Sequence, residues 1–392
     1  MTHRPAPLAY RHIRPAFRTF AGPAALSALD REVSRAGAQR LVMVSDPALR
    51  RYPDVVEAVT TALADRLTAT FDQVEPHTPL SSVEAAVDLM HKESADGVVV
   101  LGGGSSVVTA RASVIVFGEK RGVRELCTHQ ADDGRLVSPR LSARKVPMWI
   151  VPSTPTTAAA KVGAAVRDVQ TGERLALFDP AVRAAGLFLS PEVAATAPTS
   201  LVRSASLNAF AMVVESLQVS PDDPMADAYL LHAARLIREN MPVVADDDTS
   251  DSRLRLMSAA LLAGHGSDAA GGGLAQALAH AIGPRAGVPN GVVETLLLAR
   301  SIRFNAVTDP LRLSRLGTAI AHSSSGPSAD DVADALEALL GRWGVPLRFR
   351  DLDVDVAALD EAADHALADW ALSQAPRVPN GEELRALLHA AW

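Results

Sequence analysis

Between residues 40 and 185, short apolar runs alternate with stretches of helical period. "RLVMVSD" (40–46) predicts a strand ending in Ser-Asp, "PDVVEAVTTALADRL" (53–67) a helix, and "LTATFDQV" a second strand. "SSVEAAVDLMHKESA" (81–95) predicts a second helix opened by a serine cap and an acidic first turn. "DGVVVLGGGSSVVTARAS" then carries a buried strand straight into a glycine turn and a helix, and "VPMWIVPST" and "ERLALFD" add further strands. Strands alternating with helices predict a parallel sheet covered by helices on both faces. After about residue 185 the period becomes helical throughout, as in "PTSLVRSASLNAFAMVVESLQ", "MADAYLLHAARLIREN", "ETLLLARSIRFNA" and "SADDVADALEALLGRWG". The chain therefore reads as an α/β domain over 1–185 and an all-helical domain over 186–392. The boundary is expected in the Pro-, Ser- and Thr-rich "FLSPEVAATAPTS".

Composition narrows the function classes. The 392 residues are 48% apolar, ample for two cores, and no apolar run reaches the ~18 residues that a bilayer-spanning helix needs. The opening "MTHRPAPLAYRHIRPAF" is basic and broken by proline, without the apolar core of a secretory signal. Net charge is −7 and the basic residues are scattered, which argues against a nucleic-acid surface. Cys127 is the only cysteine, so disulfide frameworks and cysteine-based zinc sites are excluded within one chain. These features fit a cytoplasmic protein acting on a small molecule.

Two stretches carry candidate chemistry. Gly102, Gly103 and Gly104, followed by Ser105, join a buried strand to a helix N-terminus, where backbone N–H groups can receive a phosphate. The pattern matches neither the six-residue dinucleotide fingerprint nor the nucleotide P-loop, so an ordinary tight turn remains open. Asp46 stands at the carboxyl end of an earlier strand, where an acidic side chain can take ribose hydroxyls or can instead cap the turn before "PALRRY". In "GGGLAQALAHAIGPRAGVPNGVVETLLL" (271–298), Gln276 and His280 lie one helical turn apart. A Gly-Pro break follows, and Asn290 returns from the "VPNGV" turn. The spacing suits a divalent cation, yet two of the three polar side chains are amides.

Several motifs recur together in order: "FAGPAAL", "VSD", "GGGS", "VPSTPTTAAA", a helical half, and "APRVPNGEELRALLHAAW". In this the chain resembles the iron-containing (group III) alcohol dehydrogenase family along its length. Its "FDQVEPHTP" and "SLNAFAMVVESL" resemble the maleylacetate reductase branch. The resemblance implies a Rossmann-like domain and a helical domain, the architecture shared with dehydroquinate synthases. It also implies NAD or NADP, with NAD favoured by Asp46, in the cleft between the domains, and a homodimer. It places the pyrophosphate on Gly102, Gly103, Gly104 and Ser105, and lines the cofactor cleft with Ser153 and Thr154. The chain departs from the family pattern at Val108, Arg111, Ala158 and Ala159.

The same resemblance carries the family's four metal-ligand positions onto Asn208, Met212, Gln276 and Asn290. Amides and a thioether lack the charge and imidazole nitrogens that iron(II) or zinc require, so no metal is expected. A displaced site using His280, His265 and Glu215 has no compact spacing behind it. On residue chemistry alone, His265 reads as a surface loop residue and Glu215 as a partner of a neighbouring helix. His280 matches a cleft histidine of the family and is the leading proton donor or acceptor, the alternative being a hydrogen-bonded core histidine on an apolar helix; His77 is the second catalytic candidate, the alternative being a plain turn at "EPHTP". The expected activity is metal-independent, NAD(P)H-dependent reduction of an activated unsaturated or keto acid, with a carboxylate held by Arg203, Arg253 or Arg285. The alternative is a scaffold retired from redox work that catalyses elimination, isomerisation or cyclisation, or only binds a ligand.

Overall fold

A computed structural model describes residues 16–131, 136–219, 223–246, 248–268, 272–305, 309–321 and 327–392. The basic N-terminal stretch up to Pro15 and the first glycine of the 271–298 stretch lie outside these residues. The chain divides into two compact units: Ala16–Ala205 with Val243–Leu261, and Ser206–Pro242 with Leu262–Trp392.

The first unit is built on a six-stranded parallel sheet. Its strands are β1 (Arg18–Ala21), β2 (Leu41–Ser45), β3 (Leu67–Phe71), β4 (Gly97–Gly102), β7 (Met148–Pro152) and β10 (Gly186–Leu189). Their order across the sheet is β1-β10-β7-β4-β2-β3. Helices α1 (Ala25–Ala36), α2 (Pro53–Leu63), α3 (Leu80–Lys92) and α4 (Gly104–Glu119) connect the first strands. Alternation of side chains along a strand sorts the core onto two faces. Val98 and Val100 of β4 pack with Val83 of α3 and Val107 of α4. Val99 and Leu101 pack instead with Leu29 of α1 and Val59 of α2. Strands covered on both sides read as unbroken apolar runs, which is why "GVVVL" and "MWIV" lack a polar alternation.

Four sequence expectations need correction here. The "ERLALFD" strand is β9 (Arg174–Phe178), which pairs antiparallel with β8 (Gly163–Arg167) in a separate hairpin, outside the parallel sheet. A second small pair, β5 (His129–Gln130) with β6 (Leu136–Val137), precedes β7. "GLFL", at the edge of the stretch read as a linker, is the sheet strand β10. Helix α3 begins at Leu80 after Pro79, with no side-chain cap and no acidic residue in its first turn. Its Ser82 hydroxyl donates instead to the Gln73 carbonyl at 3.2 Å. His77 and Thr78, both with positive φ, bend the chain directly into this helix.

Beyond α5 (Val123–Leu126) and α6 (Pro191–Ala194), the remaining elements are helices: α7 (Thr199–Val219), α8 (Pro224–Asp246), α9 (Ser250–Gly266), α10 (Leu274–Ala286), α11 (Asn290–Asn305), α12 (Pro310–Ala321), α13 (Ala329–Arg342), α14 (Val356–Ala366) and α15 (Gly381–Ala391). Fourth, the Gly-Pro pair does not break the helix. Helix α10 runs through Pro284 to Ala286 and ends at Gly287 in left-handed backbone, so the break falls after the proline. A proline in a last turn withholds one N–H but leaves the earlier turns intact. No described helix is long and apolar enough to cross a membrane.

Candidate functional site

In the first unit the glycine turn sits where the sheet reverses direction. The connection from β2 leads outward to β3, while that from β4 leads towards β7. The carboxyl ends of β2 and β4 therefore form a switch point, the place where open parallel sheets receive ligands. Asp46 follows β2 and Gly102 ends β4; the Asp46 N–H donates to the Leu101 carbonyl at 2.9 Å. Gly102 has φ +148°, and a Cβ there would lie 2.8 Å from Asp46 Cβ. Only glycine fits both the backbone and the space.

The segment after β7 lies against the same turn. The Ser153 N–H donates to the Gly102 carbonyl at 3.1 Å. A Cβ on Gly103 would lie 3.1 Å from Thr154 Oγ1, and one on Gly104 3.3 Å from Thr156 Oγ1. The structure thus brings together Asp46, Gly102, Gly103, Gly104, Ser153 and Thr154, with Ser105 in the first turn of α4. It adds two residues that the sequence reading passed over. Thr156 also accepts from the Ala158 N–H at 3.3 Å. Ser106 is buried beneath Gly102, and its Oγ has no hydrogen-bond partner among the described residues. Gly103 caps α4 without any side chain, leaving the helix N-terminus to backbone N–H groups alone. This glycine cradle fits the pyrophosphate of a dinucleotide. Asp46 also caps the following turn, its Oδ1 accepting from the Ala48 N–H at 2.9 Å.

His77 lies on the loop between β3 and α3, exposed at the surface. Thr78 next to it is buried and fixes the loop: its carbonyl accepts from the Arg167 N–H at 2.9 Å. Partial burial of the imidazole, then the charges of Arg167 and Arg174, lower the His77 pKa. Arg111 is fully buried in α4 and donates to the Ala158 carbonyl at 2.6 Å, so it serves to anchor the segment after β7.

In the second unit three helix faces meet. Asn208, Met212 and Glu215 follow one another on one face of α7, Gln276, His280 and Gly283 on one face of α10, and Asn290 and Glu294 on one face of α11. Asn208 Nδ2 donates to Glu294 Oε2 at 2.7 Å, joining α7 to α11. Glu215 accepts the Ala275 N–H at 2.7 Å and the Gln276 N–H at 3.0 Å, capping α10 with a buried carboxylate. Burial pushes the Glu215 carboxyl up to about 7, against the opposing pull of those two N–H groups. A Cβ on Gly283 would fall on the Asn290 side-chain oxygen, which is itself buried and accepts no hydrogen bond among the described residues. His280 Nδ1 lies 2.9 Å from Asp369 Oδ2, with both side chains more than nine-tenths buried. The Trp370 ring centre is 6.4 Å from that of His280.

The side chains around the cluster differ from those expected from the sequence. Glu294 and Asp369 are buried carboxylates that no motif or spacing singles out. His265 is not a surface loop residue: it is buried at the end of α9, 6.2 Å from the Tyr229 ring. Arg253 is not poised for a substrate carboxylate. It donates to the Ala194 and Ala197 carbonyls at 2.6 Å and pairs with Asp248. Arg285 is exposed and donates to the Ala281 carbonyl of its own helix.

The chain belongs to the iron-containing alcohol dehydrogenase family, whose members are oxidoreductases. Residues 16–191 match the model described as "Iron-containing alcohol dehydrogenase", and residues 203–392 that described as "Fe-containing alcohol dehydrogenase family, C-terminal". Maleylacetate reductase 2 of Cupriavidus pinatubonensis is 27% identical over 383 residues, covering 96% of this chain and 94% of that protein. Among solved structures, an alcohol dehydrogenase from Oenococcus oeni is 22% identical with a TM-score of 0.87, over 98% of this chain and 100% of that one. A sulfoacetaldehyde reductase from Bifidobacterium kashiwanohense, solved in complex with NAD+, is 17% identical with a TM-score of 0.83, over 98% and 99%.

The family's name implies iron. Among the described residues no three His, Cys, Asp or Glu side chains form a group able to hold a metal ion. Asn208 turns an N–H towards Glu294, a hydrogen-bonding arrangement rather than a pair of ligands. This donor set does not fit iron or zinc.

Proposed function

We propose that the protein is an NAD(P)H-dependent reductase that works without a catalytic metal and acts on an activated unsaturated or keto acid. The observation that carries the reading is the glycine turn at the switch point between β2 and β4, with Thr154 held against it. A dinucleotide's pyrophosphate needs such a close approach to backbone N–H groups. Asp46 favours NADH, because a carboxylate at this strand end accepts ribose hydroxyls and repels a 2′-phosphate. When bound, the reduced nicotinamide supplies the hydride.

The chain's own residues then manage charge and proton. Hydride addition to a conjugated or keto acceptor leaves an electron pair on the acceptor oxygen, which N–H donors can stabilise in place of a Lewis acid. Each amide nitrogen carries two hydrogens, so the Asn208 bond to Glu294 leaves its second N–H for that oxygen; Gln276 and Asn290 are the other donors. His280, as imidazolium, delivers the proton that completes the reduction. The resemblance of the chain to a maleylacetate reductase supports a carboxylic-acid substrate.

Calorimetric titration with NAD+, NADH, NADP+ and NADPH, followed by NADH oxidation with maleylacetate and related acids, tests this reading. Binding of NADH and reduction of an unsaturated or keto acid are expected. Binding of none of the four would overturn it in favour of the non-redox alternative.

A further inference from the structure

We propose that Asp369 is the positioning residue for His280, holding the imidazole by Nδ1 so that the proton exchanged with substrate sits on Nε2. The inference deepens the reductase reading and rests on it for the identity of the reaction.

A carboxylate can only accept, so a 2.9 Å approach between His280 Nδ1 and Asp369 Oδ2 places a hydrogen on Nδ1. That assigns the tautomer and leaves Nε2 as the nitrogen that changes protonation during turnover. Asp369 is itself fixed. Its Oδ1 accepts from the Ala371 N–H at 2.8 Å, capping the turn Trp370–Gln374 that packs against α10. With both oxygens engaged, the carboxylate holds the ring's rotation as well as its tautomer, the role that orienting carboxylates play towards histidines elsewhere. Other ionisable groups on the helices packed against α10 have partners of their own. Glu294 of α11 accepts from Asn208, and Glu361 of α14 lies 3.8 Å from Arg285 and His365. Asp360 and Asp364 of α14 pair with His389 and Arg385. Arg303 of α11 pairs with Asp330, Asp334 and Glu337, Arg300 of that helix donates to the Leu296 carbonyl, and Glu215 caps the far end of α10.

During reduction the imidazolium gives its Nε2 proton to the oxyanion or the adjacent carbon of the acceptor. It is left as neutral imidazole with its Nδ1 hydrogen still on Asp369, and solvent restores the Nε2 proton. The nearby carboxylate favours the charged ring, so removing its charge lowers the pH at which His280 titrates.

The test is imidazole NMR of the full chain, parent and Asp369→Asn, with the His280 signals assigned by their loss in His280→Gln. The parent is expected to show the Nδ1-protonated tautomer when neutral. The variant's midpoint should fall by about one pH unit or more. In parallel, NADH-dependent reduction of maleylacetate should lose about 10- to 100-fold in kcat with KM little changed. Its alkaline limb should move to lower pH, because the acid form of His280 is lost sooner. An Nδ1-deprotonated tautomer, or a midpoint unmoved by the substitution, would overturn the proposal. So would a kcat loss accompanied by an unshifted pH limb, the signature of a merely structural staple. If the parent reduces no acid, the reductase reading fails, while the tautomer and midpoint still decide the role of Asp369.

Discussion

Asn208 on α7 donates from Nδ2 to Glu294 Oε2 on α11 at 2.7 Å, and Glu294 is buried. An amide suits this place because it offers a donor to a carboxylate that has little access to water. An aspartate at 208 would set two carboxylates against each other, and in a buried site like charges force one of them to stay protonated.

Asn208→Asp is therefore expected to destabilise the chain by roughly 1–3 kcal/mol near pH 8 and much less near pH 5. One carboxyl of the new pair would have a raised folded-state pKa. The stability it permits is present at low pH and is lost as pH rises through that value. Urea unfolding at the two pH values checks this; equal losses at both would contradict the pairing.

Glu215 gives the parent protein a pH dependence of its own. Its carboxyl is raised to about 7 by burial, so the folded chain binds a proton that the unfolded chain releases near the ordinary carboxylate value. This contribution is full below about pH 4.5 and fades as pH rises through about 7. Glu215→Gln should flatten the decline in stability between those values, with Tm measured across pH 5–8 as the check. A parent and variant with parallel profiles would contradict it.

Gly103→Val should abolish dinucleotide affinity while leaving the fold in place, because the branched side chain would fill the space between the turn and Thr154. Calorimetry with NADH against the parent decides it. Retained affinity would reduce the glycine run to a turn.

His280→Ala is expected to keep NADH binding and cut turnover by roughly 100-fold, the usual scale for a lost general acid. Near-parental kcat would remove His280 from the chemistry and leave His77 as the remaining histidine candidate. Arg253→Ala should behave in the opposite way. With the Ala194 and Ala197 carbonyls and Asp248 left unmatched, it should lose stability by about 2–4 kcal/mol, with KM for the acid unchanged in whatever folds.

What was legible in the sequence was local. Strand β4, its glycines and α4 announce themselves through a buried run, residues without Cβ and a helical period, all within a few turns of chain. β1 is an edge strand whose residues are mostly exposed, so no apolar run marks it. β10 spans only Gly186–Leu189 beside a proline- and serine-rich stretch, which hides it. β9 was recognisable as a strand, but alternation says nothing about which strand it pairs with. The site divides in the same way. Gln276 and His280 share a helix and could be read together. Asp369 and Glu294 meet His280 and Asn208 only after folding, across 89 and 86 residues of chain. The cap on α10 was invisible for another reason: its donors are backbone N–H groups, which no side-chain pattern reveals.

Catalysis without a metal is tested most directly by NADH-dependent reduction of maleylacetate by chelator-dialysed protein, with iron, zinc and nickel per chain determined on the same sample. Turnover is expected at far less than one ion per chain, at a rate unchanged when iron(II) or zinc is added back. Turnover that appears only on adding the metal, with about one ion retained per chain, would contradict it.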